Sequence, residues 1–258
     1  MPTYSEDFAG GATTANTVLT LAPTAGWQVP PGSFYIYKLR IGYANIVNAK
    51  EAQGFVIVAI SGQGGGTWAF AYGGAAGATT DANTMPAEEI DMAIPIKGGQ
   101  TVKVQVLTAE VHNDTRVGLM YKEGNGGTCM TLCAGGAGQD VTAGTELALA
   151  ANALLTPVDM TPWKDARIRQ IRFAGSGVAA ALSGAHRVRI IIAGQPDVYK
   201  FIMGSGPGGA ATGSPAAADV IKDLDIPVKS GSVVTVKVLD TVTTGGATLS
   251  AAVSLLCM

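Results

Sequence analysis

The chain has 258 residues, with 17 Lys and Arg against 19 Asp and Glu, and only 14% of its side chains are charged. A net charge of −2 argues against a dedicated nucleic-acid binder, which is usually basic, and no apolar run approaches the roughly 18 residues of a membrane-spanning helix. Apolar residues make up 47%, aromatics only 6%, and there are 35 glycines, a balance that fits a turn-rich β protein and one that hides surface in an assembly.

Residues 1–15 are polar and rich in Gly, Ala and Thr, and read as an N-terminal arm ordered by a neighbour. The start, Met1-Pro2-Thr3-Tyr4, lacks the basic and apolar regions of a signal peptide, so synthesis without secretion is expected. Val18–Ala22 is a short strand, and Thr24–Gly32, with Trp27 and Pro30-Pro31, is an irregular connection. Phe34–Ile46 is a long strand of β formers in which Tyr35, Tyr37, Leu39 and Ile41 alternate with Ile36, Lys38 and Arg40. Phe55–Ile60 is a continuous apolar run, as in a central strand. After a turn at Gly62–Gly66, Thr67–Tyr72 puts Trp68, Phe70 and Tyr72 on one face and Ala69 and Ala71 on the other. Gly73–Ala87 is a long loop of small residues. Glu89–Lys97 and Gln100–Ala109 read as a hairpin, His112-Asn113-Asp114 as a turn, Arg116–Lys122 as a strand and Thr128–Cys133 as an eighth strand.

The hairpin sequence occurs twice. Ile94-Pro95-Ile96-Lys97-Gly98-Gly99 is echoed by Ile226-Pro227-Val228-Lys229-Ser230-Gly231, and the strand after each alternates apolar and polar residues. Leu39 and Ile171, Arg40 and Arg172, Gly62 and Gly194, and Asp91 and Asp223 keep the same spacing as Ile94 and Ile226. The chain therefore reads as two copies of one β unit. Pro95 and Pro227 cannot donate to a ladder and mark an edge or a strand end, while Gly99 and Gly231 sit where a turn calls for positive φ. In the second copy the strands are Glu146–Ala150, Arg167–Phe173, His186–Ala193, Val198–Met203, Val220–Lys229, Ser232–Asp240 and Ala247–Leu256. Trp163 takes the place of Trp27, and Ser205–Asp219 is the matching small-residue loop. No eighth strand follows Ala247–Leu256, so that strand is absent or comes from the arm or a neighbour. The expected division is an arm at 1–15, a first β-sandwich at 16–136 and a second at 137–258.

No catalytic motif stands out, and no enzyme activity, cofactor or metal is expected. Cys129, Cys133 and Cys257 are an odd set without further ligands close by, and read as buried thiols. His112 and His186 are the only histidines; neither adjoins a Gly-x-Ser-x-Gly elbow, and both read as surface or capping residues. Gly62-Gln63-Gly64-Gly65-Gly66-Thr67 lacks the lysine of a phosphate loop. Carboxylates cluster at Glu88, Glu89 and Asp91, and again at Asp219, Asp223 and Asp225, as a calcium site, a wet strand face or an inter-subunit contact would require. Trp68, Phe70 and Tyr72 form a flat stripe, which serves either as a core face or as an interface or sugar-binding platform; counted at the same spacing, the second copy has Lys200, Ile202 and Gly204 there. Arg167, Arg169, Arg187 and Arg189 alternate along two strands of the second copy, which on paired strands would make one basic patch facing nucleic acid or anionic lipid, or ion pairs with neighbouring carboxylates.

Two tandem β-sandwiches carrying the duplicated Ile-Pro-[Ile/Val]-Lys-x-Gly sequence and paired long loops resemble the double jelly-roll major capsid proteins of tailless icosahedral viruses. The resemblance is one of architecture and covers the whole chain. It implies an all-β fold of two jelly rolls, a virion location, and homotrimers with a pseudo-hexagonal outline that build a higher lattice. It also implies contacts with minor capsid proteins, and with the genome or an internal membrane through the basic patch. The other reading of the residues is a carbohydrate-binding or cell-surface β-sandwich protein, such as a surface-layer subunit, and a third is a β-sandwich hydrolase.

Overall fold

The computed structural model describes residues 2–46, 54–73, 85–108, 112–142, 144–152, 155, 160–177, 184–205, 217–239 and 248–258. Most of both small-residue loops, at 74–84 and 206–216, lies outside the described residues. Regular structure within them is entirely β.

The first half contributes β1 (Thr3–Gly10), β2 (Val18–Thr20), β3 (Trp27–Gln28), β4 (Ser33–Ile46), β5 (Gly54–Ser61), β6 (Gly66–Tyr72), β7 (Met85–Lys97), β8 (Thr101–Thr108) and β9 (His112–Glu123). The second contributes β10 (Met130–Thr142), β11 (Glu146–Leu149), β12 (Ala166–Gly177), β13 (Gly184–Ile192), β14 (Val198–Ser205), β15 (Asp219–Ile221), β16 (Ile226–Val228), β17 (Val234–Leu239) and β18 (Thr248–Cys257). Four antiparallel sheets result. In the first half, β1-β9-β4-β7 faces β2-β8-β5-β6; in the second, β10-β18-β12-β15 faces β11-β17-β13-β14, with β3 added to β8 and β16 to β12. With those two short pieces set aside, the strands of each half pair in the order first-eighth-third-sixth on one sheet and second-seventh-fourth-fifth on the other. That is the wrapped order of a jelly roll. The fold is all-β, with two tandem jelly-roll sandwiches.

Local alternation builds each core. On β8, Val102, Val104 and Val106 are buried while Lys103 is exposed, and on β17 Val234, Val236 and Val238 do the same. From Phe55 to Ile60 β5 is apolar because both its faces are covered. Val56, Val58 and Ile60 join the core of the first sandwich, whereas Phe55 and Ile57 belong to a separate cluster where the sandwiches meet. The second core is built around Ile171, Phe173, Val188, Ile190 and Leu255.

Several expectations change once pairing is known. Residues Thr3–Gly10 of the expected arm form β1, laddered to β9 from Thr3↔Lys122 to Gly10↔Thr115. Thr128–Cys133, expected to close the first sandwich, lies largely in β10, which pairs with β18. It supplies the eighth strand that the second half lacked, and the expected boundary at 136/137 falls inside it. The apparent hairpin around Gly98-Gly99 is a corner: β7 ladders with β4 and β8 with β5, in opposite sheets. Both strands present an apolar face to one core, so the turn carries the chain across the end of the sandwich. Gly99 and Gly231 hold positive φ there, at 85° and 76°. His112-Asn113-Asp114 begins β9 and is not a turn. Val220–Lys229 is interrupted, giving β15 and β16. Trp27 pairs with Val102, and the corresponding Val234 N–H donates to the Met160 carbonyl, so Met160 replaces Trp27; Trp163 is 65% exposed.

Candidate functional site

The most built-up site is the junction between the two sandwiches. β6 ends its sheet, and an uncovered strand edge leaves N–H and C=O groups unpaired. Here side chains of the second sandwich cap that edge. The Ala69 N–H donates to Thr131 Oγ1 at 2.9 Å and the Ala71 N–H to Ser254 Oγ at 2.9 Å. The Ala69 carbonyl accepts from Cys133 Sγ at 3.2 Å, and the Ala71 carbonyl from Arg172 Nε at 2.8 Å. Ala69 and Ala71 pack with Phe55, Ile57, Leu107, Ala174 and Ala252 in the apolar cluster between the sandwiches. Small side chains at both positions let the strand edge approach the sheet closely.

A buried ion pair seals this contact. Arg172 Nη2 lies 2.8 Å from Glu88 Oε2, with the two side chains 3% and 6% exposed. Glu88 Oε1 also accepts the Gly73 N–H at 2.6 Å from its own sandwich and the Ala218 N–H at 3.1 Å from the other. The network therefore ties the end of β6 and the start of β15 to a single carboxylate. Burial pulls the Arg172 guanidinium below its ordinary value and Glu88 acts to raise it. Nearby, Lys222 of the second sandwich pairs with Asp91 of the first. The sequence had placed Arg172 opposite Arg40 in the repeat but gave no sign of its burial. The only available signal was a cationic residue between apolar neighbours in a strand, Ile171 and Phe173.

The aromatic stripe is not a surface. Trp68, Phe70 and Tyr72 are 8%, 1% and 0% exposed and lie in the core of the first sandwich, so they cannot form an interface or sugar platform. The Trp68 indole N–H donates to the Cys129 carbonyl at 2.9 Å. Nor is the stripe lost in the second sandwich. Val58 pairs with Trp68, and its counterpart Ile190 pairs with Tyr199, one residue short of the repeat spacing. The true counterparts are therefore Tyr199, Phe201 and Met203, which pack on the second core.

The four arginines do not make one patch. Arg167 and Arg169 lie on β12 and Arg187 and Arg189 on β13, strands that belong to opposite sheets of the second sandwich. Each pair has its own carboxylate. Arg167 Nη2 and Arg169 Nη1 each reach Asp225 at 2.6 Å, and Arg189 Nη1 bonds both Glu146 oxygens at 2.8 and 2.7 Å, with Arg187 at 3.6 Å. These contacts hold Asp225 and Glu146 below the usual carboxylate range, chiefly through the hydrogen bonds from Arg167 and Arg189 respectively. The expected basic surface for genome or membrane is thus divided between two sheets, with one carboxylate for each two arginines.

The acidic clusters are also dispersed. Glu88 takes Arg172, Glu89 takes Lys38 at 2.6 Å, Asp91 takes Lys222, and Asp219 Oδ2 accepts the Gly204 N–H at 2.7 Å. Among the described residues no three His, Cys, Asp or Glu side chains converge on a possible metal position. Burial pushes the Cys129 thiol up to about 11 and those of Cys133 and Cys257 up to about 12. His186 is 2% exposed and lies 5.9 Å from the Phe173 ring, inside the second sandwich and not at its surface.

No protein-family model matches the sequence, and no curated protein matches it. Among solved structures, the STIV major capsid protein aligns with 100% of this chain and 97% of its own, at 11% identity and a TM-score of 0.46. PNGF-II aligns over 93% of this chain and 59% of its own, at 10% identity and a TM-score of 0.43. A structure of infectious bursal disease virus, Gx strain, aligns over 99% and 70%, at 12% identity and a TM-score of 0.25. The strand order by itself is that of two jelly rolls.

Proposed function

We propose that this chain is a structural, self-assembling protein and not an enzyme: a viral major capsid protein whose trimers form pseudo-hexagonal capsomers in the virion. In this reading its two units, residues 2–123 and 130–258, are copies of one ancestral jelly roll, and further copies of the chain are its main partner. The observation that carries the reading is the junction. Two sandwiches of the same strand order are fixed side by side through a dry, edge-to-face contact sealed by Glu88 and Arg172. A rigid pair of like units is what a lattice of pseudo-equivalent positions needs.

Electron microscopy of the purified protein, with its mass measured by light scattering, tests this. Closed shells, or trimers of pseudo-hexagonal outline, are expected. A monomer at all concentrations would overturn the proposal.

A second reading, a glycan-binding or cell-surface protein, has one observation in its favour. Trp163, 65% exposed, stands at the rim of a cleft of about 500 Å³ between the sandwiches, also lined by Gly65, Pro95 and Thr161. Exposed tryptophan faces stack on sugar rings through the same aromatic chemistry that serves interfaces. Glycan binding that is lost in Trp163→Ala would favour this reading.

A further inference from the structure

We infer that the chain carries a second, unfilled half of its own internal junction, and that the partner it fits is another copy of the chain. In that contact the exposed edge of β14 on one copy lies against the outer face of the sheet β1-β9-β4-β7 on the next. The inference rests on the self-assembly proposed above and names the surfaces that would carry it.

The strand order makes positions in the two sandwiches equivalent. Within the chain, the fifth strand of the first sandwich (β6) abuts the outer face of the second sandwich's first sheet. The fifth strand of the second sandwich is β14, and it also ends its sheet. By the pairings Val58↔Trp68 and Ile190↔Tyr199, the counterparts of Ala69 and Ala71 are Lys200 and Ile202. Lys200 is exposed and Ile202 is 67% exposed. The face that would receive them is identified the same way. Cys133, Ser254 and Arg172 form a row across the second sandwich's sheet, and Asp7, Gly118 and Arg40 form the same row across the first. Asp7 is exposed and Arg40 is 49% exposed.

The side chains on these two surfaces match. Glu88 pairs with Ile41 across the ladder and Asp219 with Phe173, so Asp219 is the counterpart of Glu88. Each already accepts the N–H of the glycine that follows the inward stripe, Gly73 at 2.6 Å and Gly204 at 2.7 Å. Glu88 also has Arg172. Asp219 would receive Arg40 of the next copy, and the Ile202 carbonyl would take the guanidinium bond that Ala71 makes within the chain. Cys133 meets Ala69 inside the chain; at the corresponding place Asp7 of one copy would meet Lys200 of the other. Two oppositely charged pairs thus fall at positions where the internal junction has a buried ion pair and a thiol–carbonyl contact.

The copy-to-copy contact is more polar than its internal template. Arg187 and Arg189, held by Glu146, stand where Phe55 and Ile57 stand in the first sandwich, and Arg116, which replaces Ala252, keeps Asp114 at 3.8 Å. Such a contact is reversible and salt-sensitive. It is also head-to-tail, since an edge meets a face, so it closes into a ring or continues as a chain and does not stop at a two-fold dimer.

The test is charge exchange, read by sedimentation velocity of the intact chain at low and high salt. Arg40→Glu and Asp219→Arg should each weaken association by about tenfold or more, and the two together should restore it. Ile202→Asp should weaken it as well. Arg40 and Ile202 are exposed and Asp219 is half-buried on the Gly204 N–H, so melting curves recorded beside sedimentation separate lost assembly from lost folding. If the wild type assembles but neither charge change weakens it, or the double variant stays dissociated, this inference fails while the assembly reading stands. If the wild type does not assemble at all, both fail.

Discussion

Strands β6 and β14 hold the same slot in the same strand order, yet they agree on one face and disagree on the other. Inward, Trp68, Phe70 and Tyr72 correspond to Tyr199, Phe201 and Met203, large side chains that close a core in each sandwich. Outward, Ala69 and Ala71 are buried at 5% and 0%, whereas Lys200 is exposed and Ile202 is 67% exposed. The arginines tell the same story. Arg172 is sealed on Glu88, and Arg40, in the same place on the other sandwich, lies half-exposed 3.4 Å from Glu89. The fold dictates what a strand turns inward; what it turns outward records the surface across from it.

That contrast can be broken at several points. The largest effects belong to buried groups, each set against an exposed group of the same kind. Trp68→Ala should cost about 3–5 kcal/mol, read from urea unfolding, while Trp163→Ala leaves the curve in place. Glu88→Gln removes the counter-charge of a buried guanidinium and should cost about 3–5 kcal/mol. Arg40→Met, which touches only a solvated pair, should leave the midpoint where it is. Equal losses from Glu88→Gln and Arg40→Met would mean that the junction does not form as described.

Smaller effects probe the covered edge. Ala71→Leu forces bulk into the dry cluster and should cost about 1–3 kcal/mol, whereas Ile202→Ala should change stability little. Ser254→Ala leaves the Ala71 N–H without its acceptor and should cost about 1–3 kcal/mol. If Ser254→Ala is silent, the hydroxyl is not what satisfies that edge.

A further effect is at alkaline pH. Burial raises the Cys133 and Cys257 thiols to about 12, so the folded chain keeps their protons after the unfolded chain has lost them. Their contribution to stability is complete below the ordinary thiol value near 9 and fades as the pH climbs towards 12. Unfolding midpoints should therefore fall across that window, and less steeply in Cys257→Ala. Thiol reagents at pH 8 should modify the folded chain far more slowly than the unfolded one.

Short-range pattern set the local grammar. Alternation on Val102, Val104 and Val106 marks a strand with one wet face, the prolines mark edges or strand ends, Gly99 and Gly231 mark turns, and the shared spacing marks two halves of one plan. All of these are properties of a few adjacent residues, and they carry the fold class. Tertiary structure decided everything that depends on a partner strand. Alternation does not say which strand lies alongside, so Met130–Cys133 passed from the first sandwich to the second, and the Ile-Pro hairpin became a corner between sheets. A one-residue difference in the span from β5 to β6 reverses which face a side chain takes. A constant spacing therefore matched Trp68 with Lys200 when pairing matches it with Tyr199. The junction was the least legible part, because burial of Arg172 and Glu88 depends on two segments 84 residues apart meeting in a dry place, and no local pattern encodes that meeting.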